Sequence, residues 1–205
     1  TCLPPDINRA EADFSVESVP VDAEADPRLG YAVRYALGGL KGVGEKAMEV
    51  LVAERDANGP FTSLDDFADR VEPRLLNRRQ LESLAAAGAF DGIHADRAGV
   101  HAAAETILSV ASSAAEAKAS GQGGLFGGDD VPHADVRIPP HTPWAVGDRM
   151  AQEKEAFGFY FSAHPVDRYR HIADVRGAKS YGALCSSPGS ESGGRSGAVM
   201  AAMVE

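Results

Sequence analysis

Two glycines on either side of one valine, directly before a helix-forming stretch, constrain this chain more than any other feature. The stretch reads Leu40-Lys41-Gly42-Val43-Gly44-Glu45-Lys46-Ala47. Glycine adopts a positive φ without steric cost and lets another backbone approach closely. A helix that begins directly after such a turn presents unpaired N–H groups, and together with the helix dipole these favour an anion. The spacing therefore predicts a tight hairpin at Gly42-Val43-Gly44, with Val43 buried beneath it.

This arrangement is the pattern of a helix-hairpin-helix, in which the hairpin holds a phosphate of the DNA backbone. Lys46 and Lys41 would add positive charge beside that phosphate. Because phosphates carry no base information, we expect binding that ignores sequence and weakens with salt. The alternative interpretation of the same glycines is a tight turn between two helices with no ligand.

The charge balance restricts such a contact to a small part of the surface. The chain holds 20 lysines and arginines against 30 aspartates and glutamates, a formal net charge of −10, which argues against a protein wrapped in nucleic acid. Residues 70–80 depart from this balance, with four arginines and one glutamate. Arg78 and Arg79 are the first residues of a predicted helix, where the helix dipole disfavours positive charge. A nearby phosphate would offset this unfavourable interaction. A solvated basic face is the alternative.

The spacing of apolar residues predicts a mainly α fold. We expect the helix after the hairpin to run from Glu45 to Arg55 and to stop at Asn58-Gly59-Pro60. Its buried face would comprise Ala47, Val50, Leu51 and Ala53. Ser63 is the expected N-cap of the next helix, whose buried face would comprise Leu64, Phe67, Ala68 and Val71.

Capping signals predict a third helix and composition predicts a fourth. Asn77 and Gln80 form a capping-box pattern ahead of Leu81, Leu84 and Ala85, and Gly88 is the expected end of that helix. A long alanine-rich helix is expected from Arg97 to Lys118. Further helices are expected at 144–160 and 167–172, and the charged triplet Glu153-Lys154-Glu155 is interpreted as a solvated face.

Composition divides the chain into five stretches. Residues 1–35 alternate like short strands, with a partner strand expected at Tyr31–Ala36. Residues 36–118 form a helical domain of two helix-hairpin-helix-like units, and residues 119–142 form a linker rich in Gly, Asp and Pro. Residues 143–185 form a helical segment. Residues 186–205 hold a flexible connector and the start of a β domain.

The linker contains a second motif, Gln122-Gly-Gly-Leu125-Phe126. A solvated linker gains nothing from exposing a Leu-Phe pair. The pair would gain contact area by filling a hydrophobic pocket of a partner, while Gln122 forms a hydrogen bond at the rim. The alternative is that Leu125 and Phe126 hold the linker against its own domain.

No catalytic or metal-binding pattern stands out. Asp65 and Asp66 are adjacent, but acidic residues are common at helix starts. Cys2 and Cys185 have no metal-ligand spacing and are expected to be reduced in a cytoplasm. The six histidines are scattered, and no window of about 18 apolar residues predicts a membrane span. We therefore expect neither a catalytic centre, a metal nor a membrane partner.

Taken in order, these motifs resemble the alpha subunit of bacterial DNA polymerase III, a C-family replicative polymerase. The matching segments are Leu3-Pro4-Pro5-Asp6-Ile7-Asn8, Gly39 to Glu45, Leu76-Asn77-Arg78-Arg79 with Leu84, Ala87-Gly88-Ala89-Phe90-Asp91, Gln122 to Phe126, Glu153-Lys154-Glu155, Gly158-Phe159-Tyr160 and His164-Pro165. The resemblance implies that residues 1–35 end a fingers region and that an oligonucleotide-binding (OB) fold starts within 186–205.

The resemblance also implies roles for individual residues. Double-stranded DNA would be held behind the polymerase active site by Lys41, Gly42, Val43, Gly44, Glu45, Lys46, Arg78 and Arg79. The β sliding clamp would bind Gln122, Leu125 and Phe126, and other replisome subunits would be partners. The parent enzyme would be a Mg²⁺-dependent nucleotidyltransferase whose catalytic aspartates precede Thr1, so this chain would be non-catalytic and hold no cofactor.

Two other functions remain open from the residues. A helix-hairpin-helix repair enzyme such as a glycosylase would need a catalytic aspartate after its hairpin, and Asp65 or Asp66 lies at a tolerable distance. A purely structural linker domain without DNA contact is the third possibility.

Overall fold

A computed structural model describes residues 2–20, 30–120, 135–180, 182–183 and 199–201. The strands are β1 (Cys2–Leu3), β2 (Ser15–Ser18) and β3 (Tyr31–Arg34). The helices are α1 (Glu45–Asn58), α2 (Leu64–Arg70), α3 (Arg78–Ala87), α4 (Arg97–Ala102), α5 (Ala104–Ala119), α6 (Val146–Phe157) and α7 (Arg170–Val175), with a 3₁₀ turn at Pro165–Tyr169. The mainly α fold with a short β segment is confirmed. The chain divides into two compact units, residues 1–159 and 160–205.

The three strands form one small sheet in the order β1-β3-β2. β1 runs parallel to β3, while β2 runs antiparallel to it with Val16 opposite Val33, so the strand predicted at Tyr31 is confirmed. On the buried face Arg34 donates two hydrogen bonds to Glu17, at 2.6 and 2.8 Å, and a third to the Pro4 carbonyl. The hydrogen bond from Arg34 holds the pKa of Glu17 below its usual value, although burial opposes this.

Side-chain hydrogen bonds fasten the stretch between β1 and β2 to the helices. The Asn8 amide donates to the Phe61 carbonyl at 2.7 Å and accepts from the Phe61 N–H at the same distance. Arg55, which is buried, donates to the Ala10 carbonyl at 2.6 Å. The N-terminal sheet and the helices are therefore parts of one unit.

The face that α1 buries differs from the prediction. Its buried residues are Met48, Leu51, Val52 and Arg55, which follow the i, i+3, i+4, i+7 spacing of one helical stripe. Val50 is 46% exposed, and Ala53 is also exposed. The prediction was wrong because it counted only apolar residues. The buried stripe also includes Arg55, whose hydrogen bond to the Ala10 carbonyl helps to fix the rotation of the helix about its axis.

The capping predictions for α2 and α3 are confirmed. The Ser63 hydroxyl accepts from the Asp66 N–H, and Asn77 and Gln80 form a reciprocal capping box. Gly88 ends α3 with φ 84°. The predicted inner faces of both helices are buried. The core beside them contains the rings of Phe61, Phe67 and Phe90. Phe67 packs edge-to-face against both others, with centroids 5.2 Å from Phe61 and 5.1 Å from Phe90.

The single alanine-rich helix predicted from Arg97 to Lys118 is two helices, α4 and α5. They join at Ala103, which has ψ 0° and whose N–H donates to the carbonyls of both Gly99 and Val100. Ala103 itself is fully buried. The sequence has no proline at this point, so the break depends on the packing of the junction.

Helix α6 packs against α3 in the same unit as the hairpin. Glu153, interpreted as part of a solvated face, is instead 2% exposed, and its carboxylate accepts from Arg97 at 2.8 Å. Arg97 also binds Asp91 and the Ala86 carbonyl. A buried carboxylate needs such partners because an unpaired charge is costly to desolvate.

The chain that precedes α6 is fastened by His141. Its Nε2 lies 2.8 Å from an oxygen of Asp96, the N-cap of α4. Hydrogen bonding to the Pro139 carbonyl and to Asp96 raises the pKa of His141, and the Gly99 N–H and then His141 lower the pKa of Asp96.

The second unit is described over a few short elements. Pro165–Tyr169 forms the 3₁₀ turn and α7 follows it, where a single helix was predicted at 167–172. His164 caps the turn by accepting from the Val166 N–H. Across the described parts of the chain, no helix combines the length and the apolar character that a membrane span requires.

We expect Arg97→Met to lower the free energy of unfolding by about 3 kcal/mol or more, because Glu153 then stays buried without its closest cation. Urea unfolding of both proteins measures the difference. Replacing both partners, as Arg97→Met with Glu153→Met, should recover most of the loss. The exposed pair Arg137–Asp135 is the control, and Arg137→Met should change stability by less than about 1 kcal/mol.

Candidate nucleic-acid interface

The hairpin between β3 and α1 adopts a backbone that only glycine accepts readily. Gly42 has φ 76° and Gly44 has φ 84°, both in the region where a side chain is strained. Val43 between them is fully buried. The predicted conformation is therefore present, and Val43 holds the turn against the body of the protein.

Two other helices hold the backbone of the hairpin: side chains of α3 donate to its carbonyl groups, and a carbonyl of α6 accepts from one of its N–H groups. The Gln80 amide of α3 donates to the Val43 carbonyl, and the Ser83 hydroxyl donates to the Lys41 carbonyl at 3.2 Å. The Lys41 N–H donates to the Ala156 carbonyl of α6 at 2.8 Å. These bonds orient the turn with its carbonyls toward the protein.

The amide groups of the two hairpin glycines have no such partners. Among the described residues, neither Gly42 nor Gly44 donates its N–H to another group. Helix α1 begins at Glu45 without a side-chain cap, whereas α2, α3 and α4 each have one. A helix of 14 residues with uncapped N–H groups favours an anion at this end through hydrogen bonds and the helix dipole.

The other side chains predicted around the hairpin lie on the surface. Lys41, Glu45 and Lys46 are exposed, and within the described stretches neither lysine forms an ion pair. The carboxylate of Glu45 would repel a phosphate, so its contribution there is limited to its backbone N–H.

Arg78 and Arg79 differ in their surroundings. Arg79 lies beside the hairpin, since a Cβ at Gly42 would sit 3.8 Å from its Nε, and it pairs with no carboxylate in the described residues. Arg78 binds Glu82 at 2.6 Å and Glu105 at 2.8 Å, and its bonds to Glu82 and then Glu105 raise its pKa. Of the two arginines, Arg79 is therefore the one whose guanidinium is not paired with a carboxylate of the described residues.

Arg70 belongs to the same basic stretch but serves the fold. It donates to the Gly59 carbonyl at 2.7 Å, pairs with Glu54 and Asp66, and lies over the Phe61 ring. Including Arg70 in the basic face was wrong, because its guanidinium is already used where α1 and α2 meet. The basic surface is narrower than the run of arginines suggested.

Sequence reasoning missed the groups that seat the hairpin. Gln80 was read only as a capping residue, yet it also holds the Val43 carbonyl. Gly158 ends α6 with φ 87°, and a Cβ there would lie 2.6 Å from the Cε of Lys41, so glycine leaves room for that side chain. The glycine after Phe157 was the available signal, but nothing local linked it to residue 41.

The motif Gln122, Leu125 and Phe126 lies outside the described residues, which stop at 120 and resume at 135. The chain on either side is held to the same helix. Lys118 of α5 pairs with Asp69 at 3.1 Å, and the Val136 N–H donates to Asp65 at 2.6 Å. Asp65 and Asp69 both belong to α2, where four residues span about 6 Å.

The two aspartates considered for catalysis have structural partners. Asp65 accepts from Val136, and Asp66 accepts from the Thr62 N–H at 2.8 Å. Over the described ranges, no group of three or more His, Cys, Asp or Glu could hold a metal ion.

Comparisons with known proteins agree with this architecture. A family model described as a helix-hairpin-helix motif matches residues 1–100. The DNA polymerase III subunit alpha of Caulobacter vibrioides is 41% identical over 168 residues, 82% of this chain and 14% of that protein. Its counterpart in Neisseria meningitidis serogroup B is 38% identical over 85% of the chain, and that of Deinococcus radiodurans 33% over 99%. The chain spans about one seventh of the length of these relatives.

We expect Gln80→Met to lower the free energy of unfolding by about 2 kcal/mol, because it leaves the buried Val43 carbonyl unsatisfied and removes half of the capping box. Urea unfolding measures this loss. Amide hydrogen exchange should also accelerate at Val43, whose N–H donates to Leu40 within the turn. Asn58→Ala, at an exposed position, is the control, and an equal effect there would contradict a specific role for Gln80.

Proposed function

Since this chain belongs to the family of DNA polymerase III alpha subunits, we propose that it holds the backbone of double-stranded DNA during replication. One observation carries the proposal. The hairpin turns its carbonyls inward, onto Gln80 and Ser83, and leaves the amides of Gly42, Gly44 and the first turn of α1 for a ligand. A DNA phosphate matches that set of donors.

The contact would be electrostatic and independent of sequence. The backbone N–H groups and the dipole of α1 bind one phosphate, and the exposed side chains of Lys46, Lys41 and Arg79 surround it. None of these groups needs to reach a base edge, so the duplex can move past them. The net charge of −10 confines the contact to this side of the protein.

We propose that this segment binds DNA without performing the chemistry. The described residues hold no acidic cluster suited to a metal, and the matched part of this chain makes up only 14% of the Caulobacter vibrioides relative. Nucleotidyl transfer and its Mg²⁺ would then belong to other parts of the full polypeptide. Other replisome subunits would bind the full-length polypeptide.

We further propose that Gln122, Leu125 and Phe126 bind the sliding clamp. Support comes from the flanking residues Lys118 and Val136, which both bind aspartates of α2. From Ser120, six residues extend at most about 20 Å. A Leu-Phe pair on such a segment can enter an apolar pocket of a partner.

We expect Gly42→Val and Lys46→Glu each to weaken duplex binding about tenfold at low salt, equally for unrelated sequences. Gly42→Val strains the hairpin and covers its amides. Lys46→Glu should also lower the slope of log K against log salt by about 0.9, the value for one phosphate contact. Fluorescence anisotropy with labelled duplexes measures both effects. Arg137→Glu, an equal charge change at an exposed site, is the control. Unchanged affinity in the two hairpin variants would refute the role of the hairpin.

For the clamp, replacing Leu125 and Phe126 together by Ala should abolish binding in a calorimetric titration with purified sliding clamp. Asp129→Ala with Asp130→Ala, in the same segment, should leave the affinity nearly unchanged. Binding that survives the loss of both apolar side chains would place the clamp contact elsewhere in the protein.

A further inference from the structure

We propose that an open groove beside the hairpin is a second contact for the DNA backbone, one that continues the strand held at Gly42–Gly44. This inference rests on the proposed function. The groove has a volume of about 500 Å³ and lies between the hairpin, α3, α4 and α6. Its lining includes Lys41, Arg79, His101, Gln152 and Glu155, together with the ion pair of Arg78 and Glu82.

The groove and the hairpin share two cations. Lys41 directly precedes Gly42, and Arg79 lies beside Gly42, yet both side chains also line the groove. Phosphates of one strand follow each other every 3.4 Å or so along the helix axis. A strand bound at the hairpin would therefore carry its next phosphates past Lys41 and Arg79 toward α6.

The groove offers donors that the protein does not use itself. Within the described residues, Lys41 and Arg79 form no ion pair, and the Gln152 side chain forms no hydrogen bond. By contrast, a second groove of about 390 Å³ is lined by exposed Val50 and Leu75, and its arginine, Arg70, is held by Glu54 and Asp66. Only the first groove combines free donors with the hairpin.

Glu155 provides a test in which a substitution is expected to strengthen DNA binding rather than weaken it. Its exposed carboxylate lines the groove and pairs with no cation of the described residues, so it would repel a phosphate there. Removing this charge should strengthen DNA binding if the strand enters the groove. The same change has no local effect if the strand passes elsewhere.

His101 gives an independent readout from the wall of the groove. The ring is half-buried against Trp144, 5.2 Å between centroids, and this burial lowers its pKa. Glu82 and Glu155 act to raise the pKa, and Arg78 acts to lower it. A phosphate in the groove would favour the imidazolium and raise the pKa.

The experiment compares duplex binding by the 205-residue chain and four variants. Glu155→Gln should tighten binding about threefold at low salt. Gln152→Lys should tighten it further and steepen the dependence of log K on log salt by about 0.9, the value for one added phosphate contact. Glu72→Gln and Ala115→Lys make the same charge changes in the second groove and should have smaller effects. In NMR titrations, the pKa of His101 should rise when duplex is bound.

Equal effects in the two grooves, or a His101 pKa that duplex leaves unchanged, would overturn the groove as a DNA contact. Gly42→Val separates this failure from the failure of the proposed function. If Gly42→Val still weakens binding, the hairpin role stands and only the groove is refuted. If the unaltered chain fails to bind duplex at low salt, both proposals fall.

Discussion

The site depends on how the backbone of Lys41 and Val43 is held. The side chains of Gln80 and Ser83 in α3 donate hydrogen bonds to the two carbonyls, and the Ala156 carbonyl of α6 accepts one from the Lys41 N–H. The Val43 carbonyl is buried and must find a donor, so its bond to Gln80 fixes which way this part of the turn faces. The amides of the two glycines and of α1 are left on the outside, where an anion can satisfy them. The proposed capacity to bind a phosphate thus follows from hydrogen bonds that satisfy the backbone groups on the opposite side of the turn.

A buried ion pair extends this dependence along the chain. Arg97 and Glu153 join the end of α3 and the start of α4 to α6, although 56 residues separate them. The pair keeps Ala156 and Gly158 against Lys41, so the seat of the hairpin includes residues more than 110 positions later. Charges that are costly to bury are stable here because each has several partners. Helix α6, which follows residues 121–134 in the sequence, therefore supports the proposed binding surface.

Local rules predicted much of the fold. Caps at Ser63 and Asn77, the end at Gly88 and both hairpin glycines follow from backbone hydrogen bonding and from the φ values that glycine permits. Predictions that required knowing a partner were less successful. The buried stripe of α1 was misplaced because Arg55 contacts a carbonyl 45 residues earlier. The break at Ala103 was missed because it depends on the packing of its surroundings.

The conformation of the hairpin and the starts of α2 and α3 follow from the sequence alone, since each is set by interactions within a few residues. Tertiary structure decided which charges serve the fold and which face solvent. Arg70 and Arg79 belong to one basic stretch, yet Arg70 is fixed by Gly59 and Glu54 while Arg79 stands beside Gly42. Composition cannot separate them, because the availability of a cation depends on the distance to carboxylates that only folding brings near.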